Sequence, residues 1–138
     1  MCVAFFALNT HPAYPLVLIH NRDEFYGRPT QRAHLFEGGK VLGGRDLEGG
    51  GTWLGLGPRG RFAFVTNIRR PSQEDRPKSL ESRGELPLRF LKGGESPEAF
   101  LRGLQPSRGG YGPFNIVVGQ GGEGAFLNSL EGEVRPLG

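Results

Sequence analysis

Apolar positions in this chain fall in short runs closed by glycine, proline or asparagine, and that punctuation predicts strands joined by tight turns. Residues 2–8 and 15–20 are apolar and β-prone, and Asn9, Thr10, His11 and Pro12 between them carry turn chemistry, so an antiparallel hairpin is predicted. A polar, proline-containing stretch follows. Then 41-VLGG-44 leads into 49-GGGTWLGL-56, where three glycines precede a short strand. Pro58, Arg59 and Gly60 turn the chain into 61-RFAFVTN-67, whose alternation predicts the returning strand of a second hairpin. The charged, proline-punctuated run 68–79 predicts an exposed loop. Ser82 and Glu85 have capping-box spacing, and Leu86, Phe90 and Leu91 would share one helical face with Pro87 in the first turn. Ser96 as N-cap and Pro97 at the first helical position predict a second short helix, with Phe100, Leu101 and Leu104 on its apolar side. Strands return at 114–119, 124–129 and 133–137. The order strands, helices, strands predicts an α+β layered domain with a largely antiparallel sheet rather than regular βαβ winding.

Length and composition narrow this picture. At 138 residues the chain suits one domain with a real core. Its 24 glycines and 11 prolines raise the question of disorder, but apolar runs such as 114-FNIVV-118 recur between them and favour strands with tight turns. The 17 basic and 14 acidic residues are interspersed, with no basic arm and no helix-turn-helix, zinc-finger or RNP-like segment, so a nucleic-acid partner is not expected. No run reaches membrane-spanning length, and 3-VAFFAL-8 lacks the flanks of a secretory signal. With one cysteine no intrachain disulfide framework exists, and a cytoplasmic setting is expected.

The candidate chemistry begins at Cys2. Removal of Met1 before so small a residue would leave a chain whose first residue holds both a thiol and a free α-amine. An α-amine with a pKa of roughly 8 can accept the proton of its own residue's thiol. Against this, Met-Cys is only a dipeptide, and a free cysteine often serves as a small buried hydrophobe. The second feature is 21-NRDE-24, followed by 25-FYGRP-29, where the second predicted strand ends. Most charge runs are solvated strand ends with local salt bridges. In a hairpin of this size, however, the end of the second strand lies near the start of the first, which would set Asp23 beside Cys2.

The segments 2-CVAFFA-7, 21-NRDEFYGRP-29, 51-GTWLG-55, 66-TN-67, 82-SRGEL-86 with 90-FL-91, and 112-GPFNIVV-118 occur in order across nearly the whole chain. Together they resemble the NRDE family, also described as the transport-and-Golgi-organisation family. More distantly the pattern is similar to the Cys-type acylases, such as penicillin V acylase and bile-salt hydrolase. The resemblance implies an N-terminal-nucleophile-like αββα sandwich. It matches Cys2 to the acylase nucleophile, Asp23 to the carboxylate near the nucleophile's amine, and Asn67 to a side-chain donor for the oxyanion. Such a donor matters because acyl transfer puts negative charge on the carbonyl oxygen. Asn21, Arg22 and Trp53 are the candidate substrate contacts. Trp53, Phe62 and Phe64 could line an apolar cleft, although aromatic residues on short strands usually belong to the core.

Two departures from the acylases bear on function. Their arginine three residues before the aspartate is replaced here by His20, and strand alternation sets Arg22 and Asp23 on opposite faces, so Arg22 is not expected to stand in for it. The acylases also draw a second oxyanion residue and a further arginine from a later half, so a single domain over residues 1–138, incomplete at its C-terminus, is expected, with the uncovered sheet face leading either to association into a homo-oligomer or to poor stability. Arg69, Arg70, Arg76 and Lys78 could draw an anionic substrate toward the cleft, though a solvated loop is the simpler reading. The glycines 49–51 lack a following Lys-Ser/Thr pair and are expected to form a turn rather than a phosphate loop. His11, His20 and His34 show no metal-ligand spacing, so neither a metal nor another cofactor is expected. The function expected is hydrolysis of a non-peptide amide through Cys2. The alternative is non-catalytic binding or trafficking of a small apolar or anionic ligand of haem or lipid type, to which the resemblance also points.

Overall fold

The computed structural model describes residues 2–69 and 80–138. The chain opens with the predicted hairpin: β1 (Val3–Leu8) pairs antiparallel with β2 (Leu16–Asn21), from Val3 opposite Asn21 to Leu8 opposite Leu16. The Asn9 N–H closes the turn on the Pro15 carbonyl at 2.8 Å. A second sheet of seven strands follows the chain in simple order: β3 (Thr30–Phe36), β4 (Val41–Asp46), β5 (Leu54–Leu56), β6 (Arg61–Asn67), β7 (Phe114–Gln120), β8 (Glu123–Asn128) and β9 (Val134–Leu137). All of its neighbouring strands run antiparallel. Strand β3 falls in the stretch that sequence alone leaves as polar connection. It is the edge of the sheet, exposed along most of its length and bulged between Gln31 and His34, so no buried face imposes an apolar alternation on it.

Two helices cover one face of the large sheet. Helix α1 (Glu85–Lys92) and helix α2 (Pro97–Leu104) bury Leu86, Phe90, Leu91, Phe100, Leu101 and Leu104 against Ala63 and Val65 of β6, Ile116 and Val118 of β7, and Leu127 of β8. The Ser96 hydroxyl accepts the Ala99 N–H at 3.2 Å, and Pro97 takes the first helical position, as predicted. Helix α1 begins later than its capping-box spacing predicts. Gly84 occupies the N-cap, and Ser82 contributes only its carbonyl, to the Glu85 N–H at 3.2 Å. The reason is a backbone contact: the Thr52 N–H bonds the Gly84 carbonyl at 3.1 Å, and a Cβ on Gly51 would collide with the Gly84 backbone. Glycine at position 51 is what lets the helix start approach this closely, and a Cβ on Gly84 would itself be tight, 3.1 Å from the Gly51 Cα.

The alternate residues of the sheet face the hairpin. Phe62, Phe64 and Val117 pack with Ala4, Leu8, Leu16 and Leu18, and the Phe6 and Phe64 rings meet at 5.6 Å. The layers are therefore helices, seven-stranded sheet and hairpin, an α+β arrangement with two short helices. The hairpin covers only part of its side of the sheet, and its own outer face carries Val3, Phe5, Val17 and Ile19, all exposed.

Arg61 opens β6 with its side chain almost wholly buried. Its Nε donates to the Phe90 carbonyl at 2.9 Å, and its Nη1 donates to the Glu95 carbonyl at 2.9 Å and to Gln120 Oε1 at 2.7 Å. The guanidinium also lies 3.7 Å from the Phe90 ring centroid. It shares the Phe90 carbonyl near the end of α1 with the Gly93 N–H and ties the following Glu95 carbonyl to the sheet. The predicted loop 68–79 lies outside the described residues from position 70 onward.

Candidate functional site

A cleft of about 380 Å³ opens where the end of β2, the end of β6, residues 46–53 and residues 81–84 converge. Cys2 stands just before β1 and lines it. The Asp23 N–H donates to Cys2 Sγ at 3.4 Å, and the thiol faces the Asp23 carbonyl at 3.9 Å. The expected neighbourhood of Cys2 and Asp23 is thus present, held by the backbone of Asp23. The Asp23 carboxylate reaches Arg69 Nη2 at 3.4 Å. Asn67, the last residue of β6, lines the same cleft. Asn21 does not: it ends β2 with an exposed side chain outside the lining.

Arg22 does line the cleft, against the alternation argument. The register explains it. Arg22 lies two residues beyond His20, so the two share a face, and continuing the hairpin pairing one step past Val3 and Asn21 sets Arg22 opposite Cys2. The Arg22 guanidinium sits 4.1 Å over the Trp53 ring and donates to Thr30 Oγ1 at 2.9 Å and to Asp46 Oδ2 at 3.3 Å. A cation held on an aromatic face and on a carboxylate keeps one orientation.

Asp46 organises this side of the cleft, and sequence reasoning did not single it out. Its Oδ2 accepts from Arg28 Nε at 2.9 Å as well as from Arg22, and its Oδ1 accepts from the Glu48 and Gly49 N–H groups at 3.0 and 3.2 Å. Burial works against its charge, but the Arg28 and backbone hydrogen bonds outweigh it and hold the carboxyl below its ordinary range. The signal available in sequence was an aspartate leading a glycine run, which is the pattern of a side chain that closes a turn on its own backbone. Gly50 at φ +83° turns as expected, and its N–H bonds the Asp46 carbonyl at 2.7 Å.

His20, where the acylases carry arginine, points inward. Its Nε2 bonds the Val65 carbonyl at 3.3 Å, so that nitrogen carries the proton, and the ring meets Phe64 edge-on at 6.0 Å. Nδ1 is buried and has no hydrogen-bond partner among the described residues. Burial pushes its pKa down, the Val65 bond opposes this, and the nearby Arg22 charge adds to the lowering. His20 is therefore a neutral group beside the cleft and supplies no guanidinium-like charge. Of the aromatic residues, Phe62 and Phe64 belong to the core, whereas Trp53 is half-buried in the cleft wall. Among the described residues no group of three or more His, Cys, Asp or Glu side chains is gathered as a metal site, and no helix is long and apolar enough to cross a membrane.

Comparison with known proteins matches residues 1–134 to the family model for Transport and Golgi organisation 2. The chain is similar to the Transport and Golgi organization 2 homolog of Mus musculus, 35% identical over 142 residues covering 97% of this chain and 48% of the relative. The Homo sapiens homolog is 34% identical over the same shares, and the Drosophila melanogaster protein is 33% identical over 73% of this chain and 38% of its own length. The chain thus spans about half the length of the mammalian relatives it matches. A match that runs from the Cys2 strand through the last sheet strands means that this chain belongs to the Transport and Golgi organisation 2 family.

Proposed function

We propose that this chain carries the nucleophile half of an N-terminal-nucleophile-type amidohydrolase, in the NRDE sense of the family, which cleaves a non-peptide amide through Cys2. The observation that supports the reading most is the Cys2–Asp23 pair at the head of a cleft that Asn67 also lines. Removal of Met1 frees the α-amine of Cys2, which takes the thiol proton as sulfur attacks the carbonyl carbon. A C–S bond forms, and the oxygen takes the negative charge facing the Asn67 side-chain N–H. The C–N bond then breaks, and the amine leaves with the proton held on the α-ammonium. Water attacks the thioester, gives its proton to the α-amine, and releases the acid and the thiol. Asp23 orients the α-ammonium, and Arg22 and Trp53 contact the substrate. In this reading residues 1–138 form one domain of an αββα sandwich whose outer layer over Val3, Phe5, Val17 and Ile19 comes from further chain or a second copy.

The test is turnover of a panel of N-acyl amides by the wild type, Cys2→Ser and Cys2→Ala. Hydrolysis lost in both variants supports the reading. Hydrolysis that persists in Cys2→Ala, or none in the wild type, counts against it.

A second reading, non-catalytic carriage of an apolar or anionic small molecule of haem or lipid type, is favoured by neutral His20 in place of the acylase arginine. Ligand binding unchanged in Cys2→Ala, with no turnover in the wild type, would select it.

A further inference from the structure

A second cavity, about 550 Å³, lies between the hairpin and the uncovered part of the large sheet. Its lining is mostly leucine and glycine, Leu16 and Leu18 from β2, Leu42 from β4 and Leu54 and Leu56 from β5 among them, while β3 brings Thr30, Gln31 and Arg32 to it. Trp53 lines this cavity and the Cys2 cleft alike, so the two spaces share a wall. Both volumes lie in the range of small-molecule sites, roughly 300 to 1,000 Å³.

Polarity changes in one direction along β2 and β4, which contribute to both spaces. On β2 the inward positions run Leu16, Leu18, His20 and then Arg22. On β4 the same face runs Leu42, Gly44, Asp46. From β5 come Leu56 and Leu54, and Trp53, the residue just before this strand, stands at the cleft wall. The apolar end is remote from Cys2, and the polar end holds it. Trp53 stands at the change with its position fixed. A Cβ at Gly44 would sit 2.5 Å from the indole, so glycine there lets the ring lie against the sheet, and the Arg22 guanidinium lies 4.1 Å from the ring centroid.

We infer that the cleft and the apolar cavity form one bipartite site for an acyl compound, with the carbonyl and polar head at Cys2 and a straight apolar chain running past Trp53 to Leu42 and Leu56. This rests on the acyl-transfer reading for the head and names the substrate's other part: a medium or long aliphatic acyl group. The polar end does not select an anion. Arg22, Arg28 and Arg83 there face Asp23, Glu24, Asp46 and Glu81, so the head group it suits is polar and close to neutral.

Trp53 is the single tryptophan of the chain, so its emission reports on the shared wall directly. Straight-chain N-acylglycinamides, whose head is polar and uncharged, from butanoyl to tetradecanoyl are titrated into the wild-type and Cys2→Ala proteins, with Leu42→Glu, Leu56→Glu and the remote surface change Leu130→Glu alongside. The expected result is emission change at Trp53 with affinity rising about fourfold per added methylene until the cavity is filled. Leu42→Glu and Leu56→Glu abolish that length dependence, and Leu130→Glu keeps it. Affinity independent of chain length, no binding at any length because other chain fills the cavity, or equal loss in Leu130→Glu would each overturn the inference. The two claims separate cleanly. Length-dependent binding without wild-type turnover sinks only the amidohydrolase reading, and turnover indifferent to acyl length sinks only this one.

Discussion

Asp23 holds Cys2 through its backbone, with the N–H on Sγ at 3.4 Å, while its carboxylate turns to Arg69 at 3.4 Å. The two functions of this residue are therefore separable. Asp23→Asn keeps the backbone grip and removes the charge proposed to orient the α-ammonium. We expect hydrolysis to fall by about 10² or more, of the order seen when a positioned group is lost from an acid–base step. Stability should move by no more than about 1 kcal/mol, because the Asp23–Arg69 pair is solvent-exposed. A large loss of stability in chemical denaturation, with activity kept, would contradict this division.

Asp46 contributes through Arg22, Arg28 and two backbone N–H groups that converge on one half-buried carboxylate. Asp46→Ala removes the acceptor of the Glu48 and Gly49 N–H groups and the carboxylate that Arg22 and Arg28 share, leaving Arg28 with Glu48 and Arg22 with Thr30, and is expected to cost about 1–3 kcal/mol at neutral pH, measured by urea unfolding. The folded-state pKa is lowered, so this stability is present above the ordinary value of 3.8 and is lost as pH falls through the folded value. The wild type and Asp46→Ala should converge in strong acid. A constant gap across that range would show that the carboxylate charge is not what the site uses.

His20 adds a separate acid sensitivity. Its folded-state pKa is depressed, so the unfolded chain binds more protons below the ordinary value of 6.5. Stability is full above that pH and declines as pH drops from it toward the lowered folded value. His20→Phe should flatten this part of the stability profile. An unchanged slope would mean that His20 is not desolvated as described.

Arg61 is almost wholly buried, and its partners among the described residues are backbone carbonyls and an amide oxygen, with no carboxylate. Arg61→Met keeps much of the apolar volume over Phe90 but removes the guanidinium donors of the Glu95 carbonyl and Gln120 Oε1 and leaves the Phe90 carbonyl with the Gly93 N–H alone. We expect a loss of about 3 kcal/mol or more and a lower Tm. A variant as stable as the wild type would show that water replaces those bonds without cost.

The outer face of the hairpin is expected to drive association of the isolated chain. Phe5 and Ile19, 69% and 65% exposed, stand directly opposite each other on it. Light scattering should find species larger than a monomer, and Phe5→Lys with Ile19→Lys should shift them toward monomer. A monomeric wild type that unfolds cooperatively would refute the idea.

The hairpins around residues 9–12 and 58–60, the Ser96-capped helix and the antiparallel returning strands are all legible in sequence, because buried alternation and turn residues point the same way there. Strand β3 is not, since an edge strand exposed on both faces has no apolar period to read. The start of α1 is set by the Gly51–Gly84 contact, a tertiary event that overrides local capping preference. In the cleft, Cys2, Asp23 and Asn67 come from motif order, but Arg22 needs the register and Asp46 needs the fold, since its partners lie 18 and 24 positions away. Asn21 illustrates the converse: it belongs to the motif, yet its place on the strand turns it out of the cleft.

The account rests on a free N-terminal Cys2 that takes an acyl group, and intact-mass analysis tests this most directly. Purified protein is incubated with an activated acyl ester of medium chain length, and its mass is read before and after, with Cys2→Ala in parallel. The account predicts a chain lacking Met1 that gains one acyl mass on the Cys2 peptide and none in Cys2→Ala. Retained Met1, or no adduct on Cys2, would contradict it.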